Sequence, residues 1–281
     1  MKIDSKPTLL RQELNPARMI TSLWKHRDLA RQLALRDLAC RCRSSVGGIL
    51  WAVGGPLILL AVYTLVFNEF LGVKWSRDVG GGVVGFAVTA FCGMVIFFFV
   101  ADCVQRAPLL MSAYAGMARK STIPLEIIPL ATVLGAVPSL AAGVGIVVAA
   151  TAVMTGSVPA TAWLALVVLL PLLAGLLGAC WFLAGLGVYF RSCNHLLVPA
   201  FNLLFFATPI LYDASQVPPK WRFLVDANPL AMTVENMRRV LLWGMQPDWF
   251  AWGVWTLVGV LSLMLGYAAF LGMRRGFADV L

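Results

Sequence analysis

The chain has 281 residues, 60% of them hydrophobic and 12% charged, and a mean hydropathy of +0.84. A water-soluble domain carries about twice that charged fraction, so the composition excludes a soluble globular protein and implies a polytopic membrane protein, all-α in class. The net charge of +9 does not mark a nucleic-acid binder, because ten of the 22 Lys and Arg precede Gly47, ahead of the first apolar run; that clustering reads as a cytoplasmic anchor.

Residues 1–47 form the N-terminal arm. They hold no uninterrupted apolar stretch ending in a small-residue cleavage site, so no cleavable leader is expected. The stretch from Ser22 to Arg43 is expected to be helical. Leu23, Ala30, Leu33, Ala34 and Leu38 fall broadly on one face, with Lys25, Asp28, Gln32 and Arg36 opposite. Arg27, Asp37 and Arg41 interrupt the apolar face, but long Arg stems snorkel toward headgroups. An amphipathic interface helix on the inner leaflet is therefore expected, with Asp37 and Arg41 supporting it at i,i+4. The alternative is a disordered basic tail.

Six runs near the 20 apolar residues that a membrane helix needs follow, at 48–67, 80–101, 127–155, 160–190, 196–212 and 249–273. From Ile127 to Phe190 there is no Asp, Glu, Lys, Arg or His in 64 residues, and only Gly156-Ser157-Val158-Pro159 breaks the run. Two spans joined by a tight turn, with no ionisable group between them, do not fit an ion-coupled transporter, which needs such groups inside the membrane. Energy for any transport is expected from outside this core. Pro56, Pro138, Pro171, Pro199 and Pro209 inside the runs predict kinks.

With the N-terminus inside, cytoplasmic segments hold 16 Lys and Arg and the opposite side holds six (Lys74, Arg77, Lys220, Arg222, Arg238, Arg239), which predicts both termini in the cytoplasm. Between spans five and six, residues 213–248 are too polar to cross and too apolar to be a free loop. Re-entrant helices dipping into the outer leaflet are expected there, one of them over Thr233–Trp243. The segments are then a cytoplasmic arm (1–47), a six-helix transmembrane domain (48–273) and a cytoplasmic tail (274–281).

Enzymatic chemistry finds little support. The two histidines, His26 and His195, lie at predicted cytoplasmic edges, and no H-E-x-x-H or G-x-S-x-G motif is present. None of the six lysines follows a glycine, so there is no phosphate-binding P-loop. Glu69, Asp102 and Glu126 sit at span ends, where solvated or headgroup-facing roles are expected. Cys40-Arg41-Cys42 lacks a second pair of metal ligands, and the six cysteines do not form a disulfide framework. Aromatics gather toward the outer side, with Tyr63 and Phe67 at the end of span one, Tyr212 after span five, and Trp243, Trp249 and Trp252 around the start of span six. They read either as an interfacial belt or as a conduit lining that stacks on sugar rings.

Arg36-Asp37 through Trp51, with Pro56 following, resembles the opening of the permease subunits of ABC exporters for polysaccharides, which handle O-antigen, capsule and teichoic acid. The family pattern is R-D-x-x-x-R-Y-x-x-S-x-L-G-x-x-W and then a proline. Arg36, Asp37, Arg41, Ser45, Gly48, Trp51 and Pro56 match it, with Cys42 in place of Tyr and Gly47 in place of Leu. Lys120–Pro129 is similar to K-x-x-F-P-R-E-x-x-P, with Ile123 for Phe and Leu125 for Arg. Tyr189-Phe190-Arg191 is similar to Y-F-R-D, with Ser192 for Asp. Thr208-Pro209-Ile210-Leu211-Tyr212, then Asn228-Pro229-Leu230 and Arg238, is similar to S-P-x-x-Y…N-P-L…R, and Phe277-Ala278-Asp279 fits the ending.

The resemblance implies a homodimer in a bacterial inner membrane, with the channel between two copies and one cytoplasmic ATPase subunit on each. This chain then needs no cofactor, since ATP and Mg bind the partner. Contacts to the ATPase are implied at Arg36, Asp37, Arg41, Lys120, Pro124 and Glu126. Arg41, Arg43 and Lys120 are candidates to attract the lipid pyrophosphate of a lipid-linked polysaccharide. A small-molecule or lipid exporter shares the same architecture. A membrane glycosyl- or acyltransferase would need an acidic or His cluster at one membrane face.

Overall fold

The computed structural model describes residues 16–43, 48–73, 75, 77, 81–114, 116, 124–190, 192–274 and 276–277, and the regular structure among them is helical. The arm is two helices, α1 (Pro16–Lys25) and α2 (Arg27–Arg43), meeting at His26. The His26 carbonyl accepts the Ala30 N–H at 3.0 Å, which starts α2 afresh where one continuous helix was expected. α3 (Gly48–Tyr63) runs on into a π-helical stretch, Thr64–Phe70. α4 (Gly82–Arg106) continues through a 3-10 turn at Ala107–Leu109 into α5 (Leu110–Ala113). Pro108, which has no N–H to donate to the helical ladder, lies in that turn.

α6 (Ile127–Thr155) ends on Gly156, whose φ of +78° makes the left-handed cap that glycine adopts without strain. α7 (Ala165–Val168) and α8 (Leu170–Tyr189) form one rod broken next to Pro171. Proline leaves the carbonyl four residues back without its helical donor. That carbonyl belongs to Val167, and it accepts the Trp252 indole N–H at 3.0 Å. After α9 (Cys193–Ala207) come α10 (Arg222–Asp226), α11 (Pro229–Leu241) and α12 (Trp249–Arg274). Among the described residues four stretches are long and apolar enough to cross a membrane, Gly82–Ala113, Ile127–Thr155, Ala162–Tyr189 and Trp249–Arg274; Leu57–Phe70 and Cys193–Ala207 are shorter apolar helices. α4 is the centre of the bundle, since 72% of its apolar window is buried against 28% in α12.

α9 was expected to reach Tyr212 and stops five residues earlier. Pro209 disfavours the helical conformation in the residue before it, and Thr208 is extended, at φ −92° and ψ +134°. Its 15 residues span about 22 Å, short of the roughly 30 Å of hydrocarbon. The irregular backbone after it must therefore find donors within the protein. Arg238 of α11 supplies them, donating Nη1 to Pro209 O at 2.7 Å, Nη2 to Ile210 O at 2.9 Å and Nε to Thr89 O of α4 at 3.2 Å. Its guanidinium lies 4.3 Å from the Trp75 ring centre, and the Glu235 carboxylate is 3.9 Å away. Arg238 is 0% exposed, so it is withdrawn from the outer-side charges counted above. Burial pushes the Glu235 carboxyl above its usual range, with Arg238 pulling the other way. Gly93 of α4 makes the room, because a Cβ there would lie 3.1 Å from Nη2.

Asn228-Pro229-Leu230 opens α11 with local chemistry. Asn228 Oδ1 accepts the Leu230 N–H at 3.0 Å and its Nδ2 donates to Thr208 Oγ1 at 2.8 Å, while Pro229 takes the first helical position it favours. The helix therefore starts earlier than the expected Thr233. Leu230, Val234, Met237 and Leu241 are buried in the core cluster that α4 dominates. Asp248 then caps α12, accepting the Ala251 N–H at 3.0 Å.

α8 and α12 form the tightest helix pair. A Cβ on Gly178 would run into the Ser262 backbone, and one on Gly266 into the Gly178 backbone; small residues permit this approach where lipid gives no hydrophobic drive.

Arg238→Met should destabilise the fold by roughly 3–5 kcal/mol, since the carbonyls it serves stay buried without a donor, and Arg238→Lys should recover little because one ammonium cannot span three acceptors. Thermal unfolding in detergent reads both. Gly266→Val should lower the melting temperature of the same preparation by parting α8 from α12, whereas Gly272→Ala, where a Cβ meets nothing within 4 Å, should not.

Candidate functional site

The end of the bundle bearing the arm gathers most of the residues singled out from the sequence. α2 lies along the first turns of α6, with Ala30, Leu33 and Ala34 buried against Ile127 and Ala131. Positions i, i+3 and i+4 share a helix face, and Asp37, one turn on from Leu33 and Ala34, continues it. Gly135 of α6 lies beneath, where a Cβ would come 3.0 Å from Asp37 Oδ2 and 3.2 Å from Ala34 O. The apolar face expected to rest on the inner leaflet is thus covered by protein. Small residues on both helices allow that approach, and Trp24 and Leu35 carry the exposed apolar surface instead, at 69% and 55%.

Asp37 is reached by Arg106 at the end of α4 rather than serving only its own helix. Arg106 Nη1 lies 3.8 Å from Asp37 Oδ1, and Arg106 Nε lies 2.7 Å from Asp102 Oδ1. Asp102 is therefore partnered, not simply solvated as expected. Arg36 lies 5.2 Å over the Tyr114 ring. With Arg106 43% exposed, such pairs are worth about 0–1 kcal/mol each. Their effect is to orient α2 against α4 and to leave an acid and a base at the surface in a fixed arrangement.

Glu126, expected to face headgroups or a partner, points inward and is 5% exposed. Its Oε2 accepts Arg274 Nη1 at 3.0 Å. Its peptide carbonyl accepts the indole N–H of Trp181, itself fully buried, at 2.9 Å. The carboxylate also stands at the N-terminus of α6, where the helix dipole favours negative charge. Pro124 is half-buried, and its carbonyl accepts the Ile127 N–H at 3.2 Å. Lys120 and the side chains of Arg41 and Arg43 lie outside the described residues. Beside this junction Tyr189 Oη donates to Met273 O at 2.8 Å, and Phe277 packs on Tyr189 and Phe270.

Arg106, Tyr114, Trp181 and Arg274 were not among the candidates. The Asp102–Arg106 spacing of i,i+4 was a readable signal for one of them. Trp181 and Arg274 meet Glu126 across 55 and 148 residues of sequence, and no local pattern announces either contact.

The aromatic candidates make local contacts within the chain. Tyr63 stacks on Phe205 at 5.5 Å and Phe67 lies edge-on to Tyr63. Trp249 packs edge-on to Trp252, whose indole is committed to Val167 O. Trp243 donates to Arg77 O at 3.2 Å, and Tyr212 Oη donates to Phe206 O at 3.0 Å. These bonds give most of the polar tips local structural work.

Comparison with known proteins agrees with this layout. The chain is 23% identical over 261 residues to the O-antigen export system permease protein RfbA of Klebsiella pneumoniae, an overlap covering 90% of this chain and 95% of that protein. A second Klebsiella pneumoniae protein of that name is 24% identical over 262 residues, with the same coverage. Its Myxococcus xanthus counterpart is 23% identical over 267 residues, covering 93% of this chain and 98% of its own length. Residues 29–242, from α2 to just beyond α11, match the family model described as ABC-2 type transporter. The matched region is most of the chain and includes both the Asp37–Arg106 contact and the buried Arg238: the protein is a multi-pass membrane protein of the ABC-2 type transporter family.

Proposed function

We propose that this chain is the transmembrane subunit of an ATP-driven exporter that moves a lipid-linked polysaccharide across a bacterial inner membrane. The observation that carries the reading is the end-to-end likeness to O-antigen export system permeases, over 90% or more of the chain. Two features of the chain support it independently. Ile127–Phe190 has no Asp, Glu, Lys, Arg or His, the groups on which ion coupling inside the membrane depends. Arg36, Asp37, Asp102 and Arg106, charged residues held in set contacts, lie together at the arm end.

The rest of the reading follows from family and resemblance. Six spans place both termini in the cytoplasm, and two copies of the chain enclose the conduit. Each copy engages a cytoplasmic ATPase subunit, which binds ATP and Mg. α2, with Arg36 and Asp37, and the segment leading to Pro124 form the docking surface for that ATPase, and Arg41, Arg43 and Lys120 are the candidates to attract the pyrophosphate of the substrate. A long, mostly neutral polymer needs weak and repeated contacts, which a charge-poor wall with aromatic rings provides.

Deleting the gene should leave lipid-linked polymer inside the cell and remove it from the surface, read by fractionation and glycan blotting. An unchanged surface glycan would reject this cargo. Asp37→Asn and Arg36→Ala should lower export while leaving the unfolding free energy of the purified chain within about 1 kcal/mol of wild type, because both side chains are partly solvated. Gly135→Val should reduce export as well, by lifting α2 from α6.

A further inference from the structure

Glu126 occupies a junction that a docking surface alone does not need. It is the residue preceding α6, its carbonyl holds Trp181 of α8 and its carboxylate holds Arg274 at the end of α12. Three helices that are far apart in sequence are thereby fastened at one residue. Glu126 is 5% exposed and Trp181 0%, so water does not take over either bond if the partners separate. Parting them would leave a buried carboxylate without its cation and a buried indole N–H without an acceptor. A displacement of Pro124–Glu126 therefore drags Trp181 and Arg274 along in preference to releasing them.

What it drags is one body. Glycines hold α8 and α12 at backbone contact, Ser262 Oγ donates to Gly175 O at 3.2 Å, and Trp181 meets Tyr267 edge-on at 5.0 Å. Tyr189 ties the two helix ends together through Met273 O. From Ile127 to Phe190 there is no Asp, Glu, Lys, Arg or His, so neither α6 nor α8 holds an ion pair of its own to α12.

We propose that Glu126 is a positioning residue that transmits movement at the start of α6 to the α8–α12 pair, acting through Arg274 and Trp181. The proposal rests on the reading that an ATPase engages the segment leading into α6. It assigns Glu126 a task different from contact, since its side chain faces away from any docking partner.

Hydrogen exchange with mass spectrometry tests it on the full chain, co-expressed with its ATPase and held in phosphatidylethanolamine–phosphatidylglycerol nanodiscs, with and without a non-hydrolysable ATP analogue. In wild type the nucleotide should change exchange both in peptides ending at Glu126 and in those covering the end of α12. In Glu126→Gln and in Arg274→Gln the first response should persist and the second should be weakened several-fold, the remainder passing through the backbone bond to Trp181, while Arg274→Lys should keep both. Should Glu126→Gln fail to give a folded complex, Arg274→Gln, at a side chain 42% exposed, carries the same test. An α12 end that responds normally in the glutamine variants, or stays silent in wild type while the segment before α6 responds, overturns the transmission. A wild-type chain that does not co-purify with its ATPase overturns the coupling reading beneath it, and the transmission with it.

Discussion

Where α9 stops at Thr208, the backbone leaves helical geometry inside an apolar bundle, and the carbonyls of Pro209 and Ile210 need donors that neither lipid nor a neighbouring strand can supply. The Arg238 guanidinium provides them while also reaching Thr89 of α4. Much of the far half follows from that requirement. Glycine at position 93 leaves room for the guanidinium, Trp75 covers its face, and α11 must lie against α4 to bring the side chain in. Asn228 sets the start of α11 and is bonded to Thr208, the residue at which α9 ends. A buried charge is poor evidence of net stability. Here it fixes where one irregular segment sits, because three acceptors in a set geometry suit a planar fork and not an ammonium.

The arm end solves a different problem with the same residue types. Its acids and bases sit at the rim, where Asp37, Arg106 and Asp102 remain partly solvated, and only Glu126 is drawn inside. Pairs at the rim orient helices at little energetic consequence and can exchange partners with another protein. The inner pair cannot do so without leaving a charge stranded. Partly solvated charge and sealed charge thus lie within one cluster, divided by burial rather than by sequence.

Local chemistry explains what could be read in advance. The charge-free run with Gly156 inside it announces α6, α8 and the turn between them, because glycine and proline signals act within a few residues. Asn228-Pro229 carries a local helix-start signal of the same kind, but the expected helix begins at Thr233, where the apolar run is clearer. Pro209 does announce a break, yet a run of apolar residues through Tyr212 outweighed it in the hydropathy reading, and α9 came out shorter. Arg238 looked like one more outer charge, since nothing nearby in sequence tells that Pro209 and Ile210 need it. The arm helix showed its face correctly in Ala30, Leu33 and Ala34, but a face does not name what covers it; Ile127, Ala131 and Gly135 lie a hundred residues away. Glu126, Trp181 and Arg274 were separated by the same blindness to long-range contact.

These two halves bear on how a chain without ionisable groups through its central spans can be driven. Force must enter at an end and travel through rigid parts, and the α8–α12 pair, locked by glycine contacts, is the stiffest element available. Its arm end is fastened at Arg274 and Tyr189, and its far end at Trp252, whose indole holds the carbonyl that Pro171 sets free. α4 and α11, joined through Arg238, form a second body, which meets the first across an apolar cavity of about 300 Å³ lined by residues that include Val104, Leu176, Leu230 and Trp255. Polar bonds also cross between the bodies, since Asn236 of α11 accepts the Asp248 N–H before α12 at 2.8 Å and Thr161 donates to Val240 O at 2.8 Å, and Gly187 of α8 lies at backbone contact with Pro108; room for small shifts is confined to the apolar seam between these fastenings. Sliding at that seam costs dispersion contacts, which re-form in small increments, whereas shearing either body would strand a buried donor or acceptor. The polar bonds therefore determine which parts stay together, and the apolar seam determines where the chain yields.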